Sequence, residues 1–378
     1  MGGLRAAEAL RRFGYTGPIT AIGDEPYAPY NRPPLSKEVL AETVSHDAVA
    51  FEQRESTADV NWVLGTRVES ADLEHNVVTD SNGDVHPYST LIVATGLRPR
   101  RLGVANSELR GRHAVRTLDD AIALRADLKP GARVVIVGAG FIGCEVAATA
   151  RTLGCDVTVV APGIHPMQRS LGTELASEMQ RRHEERGVVF RMKTAVTDLV
   201  GESAVEGVIL DDGTTIPCDV LVEAIGSHEN TEWLEGNDLD LSAGVLANND
   251  LRALRQNGVP WDTVFVVGDV ARFPNPVYDH DARQIEHWNI PTETAKRVAQ
   301  VFTEQAQGEF RPIPSFWTDQ YDNHLLAYGV LAIADEITLL DGELSGDCVF
   351  GYYRSGTMVG VCGIGMRSVV QSYRANFV

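Results

Sequence analysis

A β-branched strand, Arg133–Val137, runs directly into Gly138-Ala139-Gly140-Phe141-Ile142-Gly143. An alanine-rich stretch from Cys144 to Leu153 follows, closed by Gly154, and a second strand, Asp156–Val160, comes next. Strand, Gly-x-Gly-x-x-Gly, helix and strand in that order restrict this segment to a βαβ unit of the dinucleotide-binding kind. The first glycine permits the tight turn, the second lets backbone approach a pyrophosphate, and the third lets helix pack on strand. The helix N-terminus then presents its free N–H groups to phosphate. Gly138, Gly140 and Gly143, with Phe141 and Ile142 between them, are therefore candidate nucleotide-binding residues.

The same unit is written a second time. Gly3, Ala7, Arg11 and Gly14 match Gly143, Ala147, Arg151 and Gly154 at an offset of 140, and Ile19–Ile22 matches Val157–Val160 at an offset of 138. A repeat of this kind predicts a second nucleotide unit with a helix over residues 4–13 and a strand over 19–22. Met1 aligns with Phe141, so the counterpart of Arg133–Gly140 is missing; the expectation is a chain with a misassigned or trimmed start that lacks its first strand and half a glycine loop, the alternative being a domain that works without that strand. An acidic residue about 20 positions after the last loop glycine accepts hydrogen bonds from a ribose. Asp24 and Glu25 both meet that spacing relative to Gly3.

Composition narrows the remaining choices. With 378 residues, two or three domains are expected. A net charge of −19 argues against nucleic acid and anionic membrane as partners. No apolar run reaches the length of a membrane-spanning helix, and no signal peptide is evident. The five cysteines, Cys144, Cys155, Cys218, Cys348 and Cys362, lack the spacing of a zinc site, a dithiol centre or a disulfide framework. No metal is expected, and reduced thiols in a cytoplasmic protein are the default reading.

Six further segments carry chemistry. Arg32-Pro33-Pro34-Leu35-Ser36-Lys37 predicts an extended, proline-stiffened stretch with Ser36 as an N-cap, flanked by two cations. Only four lysines exist, so Lys37 suggests that a point charge is wanted there. Leu91–Gly96, Val220–Gly226 and Val264–Asp269 are hydrophobic strands ending in small-residue or Gly-Asp turns, where open α/β sheets place ligands. Glu286-His287-Trp288 and Ser315-Phe316-Trp317-Thr318-Asp319-Gln320-Tyr321 each offer a tryptophan suited to lie beside an aromatic cofactor.

Taken together, Arg-Pro-Pro-Leu-Ser-Lys, Ala-Thr-Gly, Gly-Asp, Glu-His-Trp and Phe-Trp-Thr-Asp-Gln-Tyr resemble the FAD-dependent ferredoxin reductases that serve oxygenases and cytochromes P450. The resemblance runs from Met1 to about Phe377. It implies an α/β fold with two Rossmann-like dinucleotide-binding domains, the second inserted in the first, plus a small α/β C-terminal reductase domain. The FAD-binding parts would be 1–108 and 235–313, the NAD(P)H-binding domain 109–234 and the C-terminal domain 314–378. By the same resemblance, Lys37, Glu145 and Trp317 are catalytic, with Lys37 near flavin N5, Glu145 near the nicotinamide and Trp317 on the face where electrons leave. FAD would be lined by Gly3, Asp24, Glu25, Arg32, Lys37, Ala94, Thr95, Gly96, Arg100, Gly268, Asp269, Glu286, His287 and Trp288, and Arg169 and Gly226 are further cofactor-binding candidates.

The implied reaction is hydride transfer from NADH or NADPH to FAD, then single-electron transfer to a ferredoxin-type iron–sulfur protein, by a monomer or weak homodimer. The sequence departs from that family in four places, the first being the incomplete N-terminal glycine loop, which bears on FAD affinity. Ala161 stands where a ribose-binding carboxylate is expected, with His165 and Arg169 downstream to receive a 2′-phosphate. Asn289-Ile290-Pro291-Thr292 alters the flavin helix, although Pro291 suits a helix N1 position. The tail Cys362–Arg367 lacks the family's Asn-Arg-Pro turn. The disulfide-reductase branch needs a reactive cysteine early in the chain, and none precedes Cys144. Two alternatives stay open: a flavin oxidase or reductase acting directly on oxygen or a small acceptor, and a non-catalytic nucleotide-binding homologue.

Overall fold

Val134 to Val137 are all buried, as a parallel strand covered on both faces requires. In this computed structural model, which describes residues 1–42, 44–104 and 108–377, Arg133–Val137 is the middle strand of a five-stranded sheet. Asp156–Ala161 and then Val189–Met192 lie to one side; Val220–Glu223 and then Arg112–His113 lie to the other. Every recorded pairing in the sheet is parallel, as βαβ crossovers dictate. Burying a side chain such as Ile136 contributes about 2 kcal/mol. The crossover helix Phe141–Thr152 ends at Leu153, and Gly154 follows at φ +84°, a backbone state glycine adopts without steric cost.

This sheet belongs to a unit made of Arg32–Val49, Pro99–His228 and Trp317–Val378. Its C-terminal portion forms a sheet in the order Ser315–Gln320, Asn323–Gly329, Thr357–Ile364, Cys348–Arg354, Glu336–Gly342. Tyr352 is fully buried there, and its hydroxyl donates to the Leu171 carbonyl at 2.8 Å. All five cysteines are buried and free. Burial raises the Cys218 thiol to about 12 and pushes Cys144 and Cys362 up as well, so these sulfurs are inert core groups.

The other unit consists of Met1–Asn31, Ala50–Arg98 and Glu229–Phe316. Its helix Gly2–Arg12 buries Leu4, Ala6, Ala7 and Leu10, and packs on the helix Ile290–Phe302. The strand Thr20–Gly23 follows and pairs in parallel with Asn61–Leu64. The repeat seen in the sequence is thus realised as helix followed by strand in both units. A separate sheet pairs Leu91–Val93 in parallel with Pro260–Val266, and Arg252–Leu254 lies antiparallel to the latter. Pro291 sits in the first turn of its helix with Asn289 at the N-cap, so the altered segment forms the helix. Among the described residues no helix is long and apolar enough to cross a membrane.

Candidate active site

The glycine loop separates fold from ligand residue by residue. Gly138 adopts φ +106°, and a Cβ there would stand 2.1 Å from the Ala224 carbonyl oxygen. A Cβ at Gly143 would stand 2.2 Å from the Gly138 carbonyl oxygen. Gly140 is different: beyond its chain neighbours, a Cβ would meet no atom of the described residues within 4 Å. The fold therefore demands glycine at 138 and 143, whereas at 140 the absent side chain leaves open space in front of the helix. No side chain caps that helix, which leaves its first turn to an anion. The Met167 N–H holds the loop from the far side by donating to the Ala139 carbonyl at 2.8 Å. A pyrophosphate fits this cradle.

Glu145 lies one turn further along the same helix and is 4% exposed. Lys37 Nζ is 2.8 Å from its Oε2. The Ser36 hydroxyl donates to the same oxygen, and Thr318 Oγ1 donates to Oε1 at 2.6 Å. The Arg-Pro-Pro-Leu-Ser-Lys segment reaches Glu145 by a route unlike the extended one expected. Arg32 takes an αR backbone and Pro33–Ser36 forms a 3-10 turn. Ser36 caps no helix, since its side chain is committed to Glu145; Lys37 instead occupies the N-cap position of Glu38–Ala41. Thr149, on the Glu145 helix, clamps the turn by donating to the Ser36 carbonyl at 2.9 Å. Arg32 donates to the Arg116 carbonyl.

The other predicted residues of this unit divide by role. Arg100 braces a turn, its N–H donating to the Gly226 carbonyl at 2.9 Å and its Nε to the Ser227 carbonyl at 2.7 Å. Gly226 takes φ +98° there. Trp317 is 37% exposed. Ala161 closes its strand with a buried methyl, and Arg169 is exposed, with no ion pair among the described residues. His165 is held by Gln180 at 2.9 Å. Nothing local in the sequence marks the buried Glu223, which receives Arg112 at 2.6 Å, Arg101 at 2.7 Å and the Leu102 N–H at 3.0 Å.

The unit containing Met1–Asn31 carries the remaining candidates. Gly3 lies in the first turn of its helix, with open space where a Cβ would be. Asp24 is exposed beyond the strand Thr20–Gly23, while Glu25 receives the Tyr30 hydroxyl. Ala94, Thr95 and Gly96 form the turn after Leu91–Val93. Thr95 Oγ1 donates to the Asn230 carbonyl at 2.7 Å, Asn230 Nδ2 returns a bond to the Thr95 carbonyl at 3.0 Å, and Gly96 takes φ +63°. Gly268 donates its N–H to Thr294 Oγ1 at 3.0 Å, and the Asp269 carbonyl receives Gln284. Glu286 and Trp288 are exposed around His287, whose ring lies 4.9 Å from Phe316. His287 Nδ1 is a buried polar atom with no hydrogen-bond partner among the described residues, and burial pushes the imidazole down to about 4. A neutral ring with an unsatisfied nitrogen, positive-φ glycine turns and an exposed tryptophan fit a flavin nucleotide.

The model of the pyridine nucleotide-disulphide oxidoreductase family matches residues 1–295. The chain belongs to that family, and within it to the ferredoxin reductases that its motifs resemble. It is 34% identical over 372 residues to the ferredoxin–NAD(+) reductase component of the anthranilate 1,2-dioxygenase system of Burkholderia cepacia, covering 96% of this chain and 88% of that one. It is 31% identical over 378 residues to a ferredoxin–NAD(P)(+) reductase of a Sphingomonas species, covering 99% and 90%. Putidaredoxin reductase, solved in covalent complex with putidaredoxin, superposes with a TM-score of 0.93 at 28% identity, covering all of this chain and 90% of that one.

Proposed function

We propose that this protein is the flavoprotein reductase of an oxygenase or P450 electron-transfer system. It takes electrons from NADH or NADPH through FAD and delivers them to a ferredoxin-type iron–sulfur protein. The observation that carries this reading is the Lys37–Glu145 pair, built on the very helix whose N-terminus is the dinucleotide loop. Bound FAD supplies the conversion of a two-electron hydride donor into a one-electron donor. The open face at Gly140 and the uncapped helix seat the pyrophosphate. Glu145, five residues past the N-cap Gly140, sets the nicotinamide's position, and the Lys37 ammonium stabilises negative charge arriving at the reacting ring. Gly3, Asp24, Glu25, the Ala94–Gly96 turn, Gly268, Asp269 and Glu286–Trp288 hold the flavin nucleotide.

Purified protein should be yellow, bleach anaerobically with NADH or NADPH, and reduce cytochrome c only when a ferredoxin is added. Ferredoxin-independent cytochrome c reduction would point to direct transfer to small acceptors. A colourless protein that takes up no FAD and oxidises neither nucleotide would end the reductase reading.

Nucleotide choice follows from Ala161. A carboxylate at the end of this strand accepts bonds from a free ribose 2′-OH and repels a 2′-phosphate. Ala161 does neither, and Arg169 lies exposed downstream. Ala161→Glu should shift the ratio of kcat/KM for NADH over NADPH upward by at least about tenfold, the worth of one charged contact. An unmoved ratio would refute this account of specificity.

A further inference from the structure

Glu145 is the end of a longer buried chain. Thr318 Oγ1, which donates to Glu145 Oε1 at 2.6 Å, itself receives Gln320 Nε2 at 3.0 Å. The Gln320 carbonyl oxygen faces His183 Nε2 at 2.7 Å. Thr318, Gln320 and His183 are 1%, 0% and 0% exposed. Burial holds the His183 imidazole below its ordinary range, so it is neutral and has a single N–H. Because the Gln320 acceptor faces Nε2, that hydrogen lies on Nε2. Every bond then points the same way, His183 to Gln320 to Thr318 to Glu145, and the donors converge on the carboxylate. Hydrogen bonds aligned in this way polarise and strengthen one another. Met167 Sδ lies 3.3 Å from the same Gln320 nitrogen. Met167 also donates its N–H to Ala139 in the glycine loop, so the chain is tied to the nucleotide cradle.

We infer that Thr318, backed by Gln320 and His183, is a positioning residue that fixes the Glu145 carboxylate on Lys37. Ser36 and Lys37 both bind Oε2, so Thr318 supplies the recorded bond to Oε1. Without it the carboxylate is free to rotate about its last bond, and its hold on the ammonium loosens. The consequence for catalysis rests on the reductase reading above; the consequence for Lys37 does not.

Lysine reactivity tests it directly. The chain has only four lysines, and Lys129, Lys193 and Lys296 are all exposed and serve as internal standards. Purified protein is treated with an amine-acylating reagent, and labelling at each lysine is followed by peptide mass spectrometry. Thr318→Val keeps the volume and removes the hydroxyl. It should raise the Lys37 labelling rate about fivefold relative to the other three, as loss of one hydrogen bond to a charged group would. Thr318→Ser should restore the slow rate. In the flavin-loaded protein, Thr318→Val should lower the rate of flavin reduction by about tenfold with NAD(P)+ affinity unchanged, again rescued by serine. A folded Thr318→Val protein with wild-type Lys37 labelling would overturn the inference. Should valine prevent folding, Thr318→Cys, with its weak thiol donor, carries the same comparison. Altered labelling with no flavin reduction in any variant, wild type included, would keep the positioning role and remove only the reductase reading.

Discussion

Gly138→Ala should abolish nucleotide binding and destabilise the fold, whereas Gly140→Ala should weaken binding and leave the fold intact. The new methyl at 138 would sit 2.1 Å from one backbone atom of Ala224 and 2.6 Å from another. Backbone cannot rotate aside as a flexible side chain can, and φ +106° adds about 1–3 kcal/mol of strain for any residue with a Cβ. A loss of about 4 kcal/mol or more is expected, in the range reserved for disrupted special backbone sites. Gly140 has φ −80° and ψ −173°, an extended conformation alanine adopts freely, and its methyl would meet nothing in the protein. It would meet the ligand. NAD+ and NADP+ affinity, read by calorimetry, should fall by about 10- to 100-fold, with the thermal midpoint unchanged. Wild-type affinity in Gly140→Ala would show that the pyrophosphate does not approach there. A wild-type thermal midpoint in Gly138→Ala would show that the loop can rearrange.

These two glycines illustrate what the sequence made legible. A spacing that serves backbone geometry appears as a motif, because only one residue type meets a positive φ or a close approach. Gly138, Gly143 and Gly154 are of this kind. The internal repeat at offsets of 140 and 138 exposed the second unit, through matched glycines at Gly3 and Gly14. Lys37 stood out because lysine is rare in this chain. The partners of Glu145 did not stand out. Ser36 and Thr318 lie 109 and 173 residues from it, and nothing local marks a hydroxyl whose acceptor comes from another element. Ser36 even carried a misleading signal, since serine before a helical stretch usually caps it. Glu223 was hidden in the same way, inside a strand that reads as hydrophobic while its carboxylate is satisfied by two arginines from outside the strand.

Lys37→Met should lose both stability and rate, and a paired substitution separates the two losses. Removing the ammonium leaves a buried carboxylate with two hydroxyl donors and no cation. Breaking one partner out of a buried pair costs about 3 kcal/mol, because the remaining charge is desolvated without compensation. Flavin reduction by NADH or NADPH, followed by anaerobic stopped flow, should slow by about 100-fold, the typical effect of removing one preorganised electrostatic group. Lys37→Met combined with Glu145→Gln removes both charges and keeps the volumes. Denaturant unfolding should then recover most of the lost stability, since a neutral amide between Ser36 and Thr318 is still hydrogen-bonded. The rate should stay low, because no cation returns to the reacting ring. A double variant that regains both stability and rate would reduce Lys37 to a structural counter-ion. One that regains neither would mean that the pair is replaceable by no neutral arrangement, and the assignment of Lys37 to charge stabilisation would lose its support.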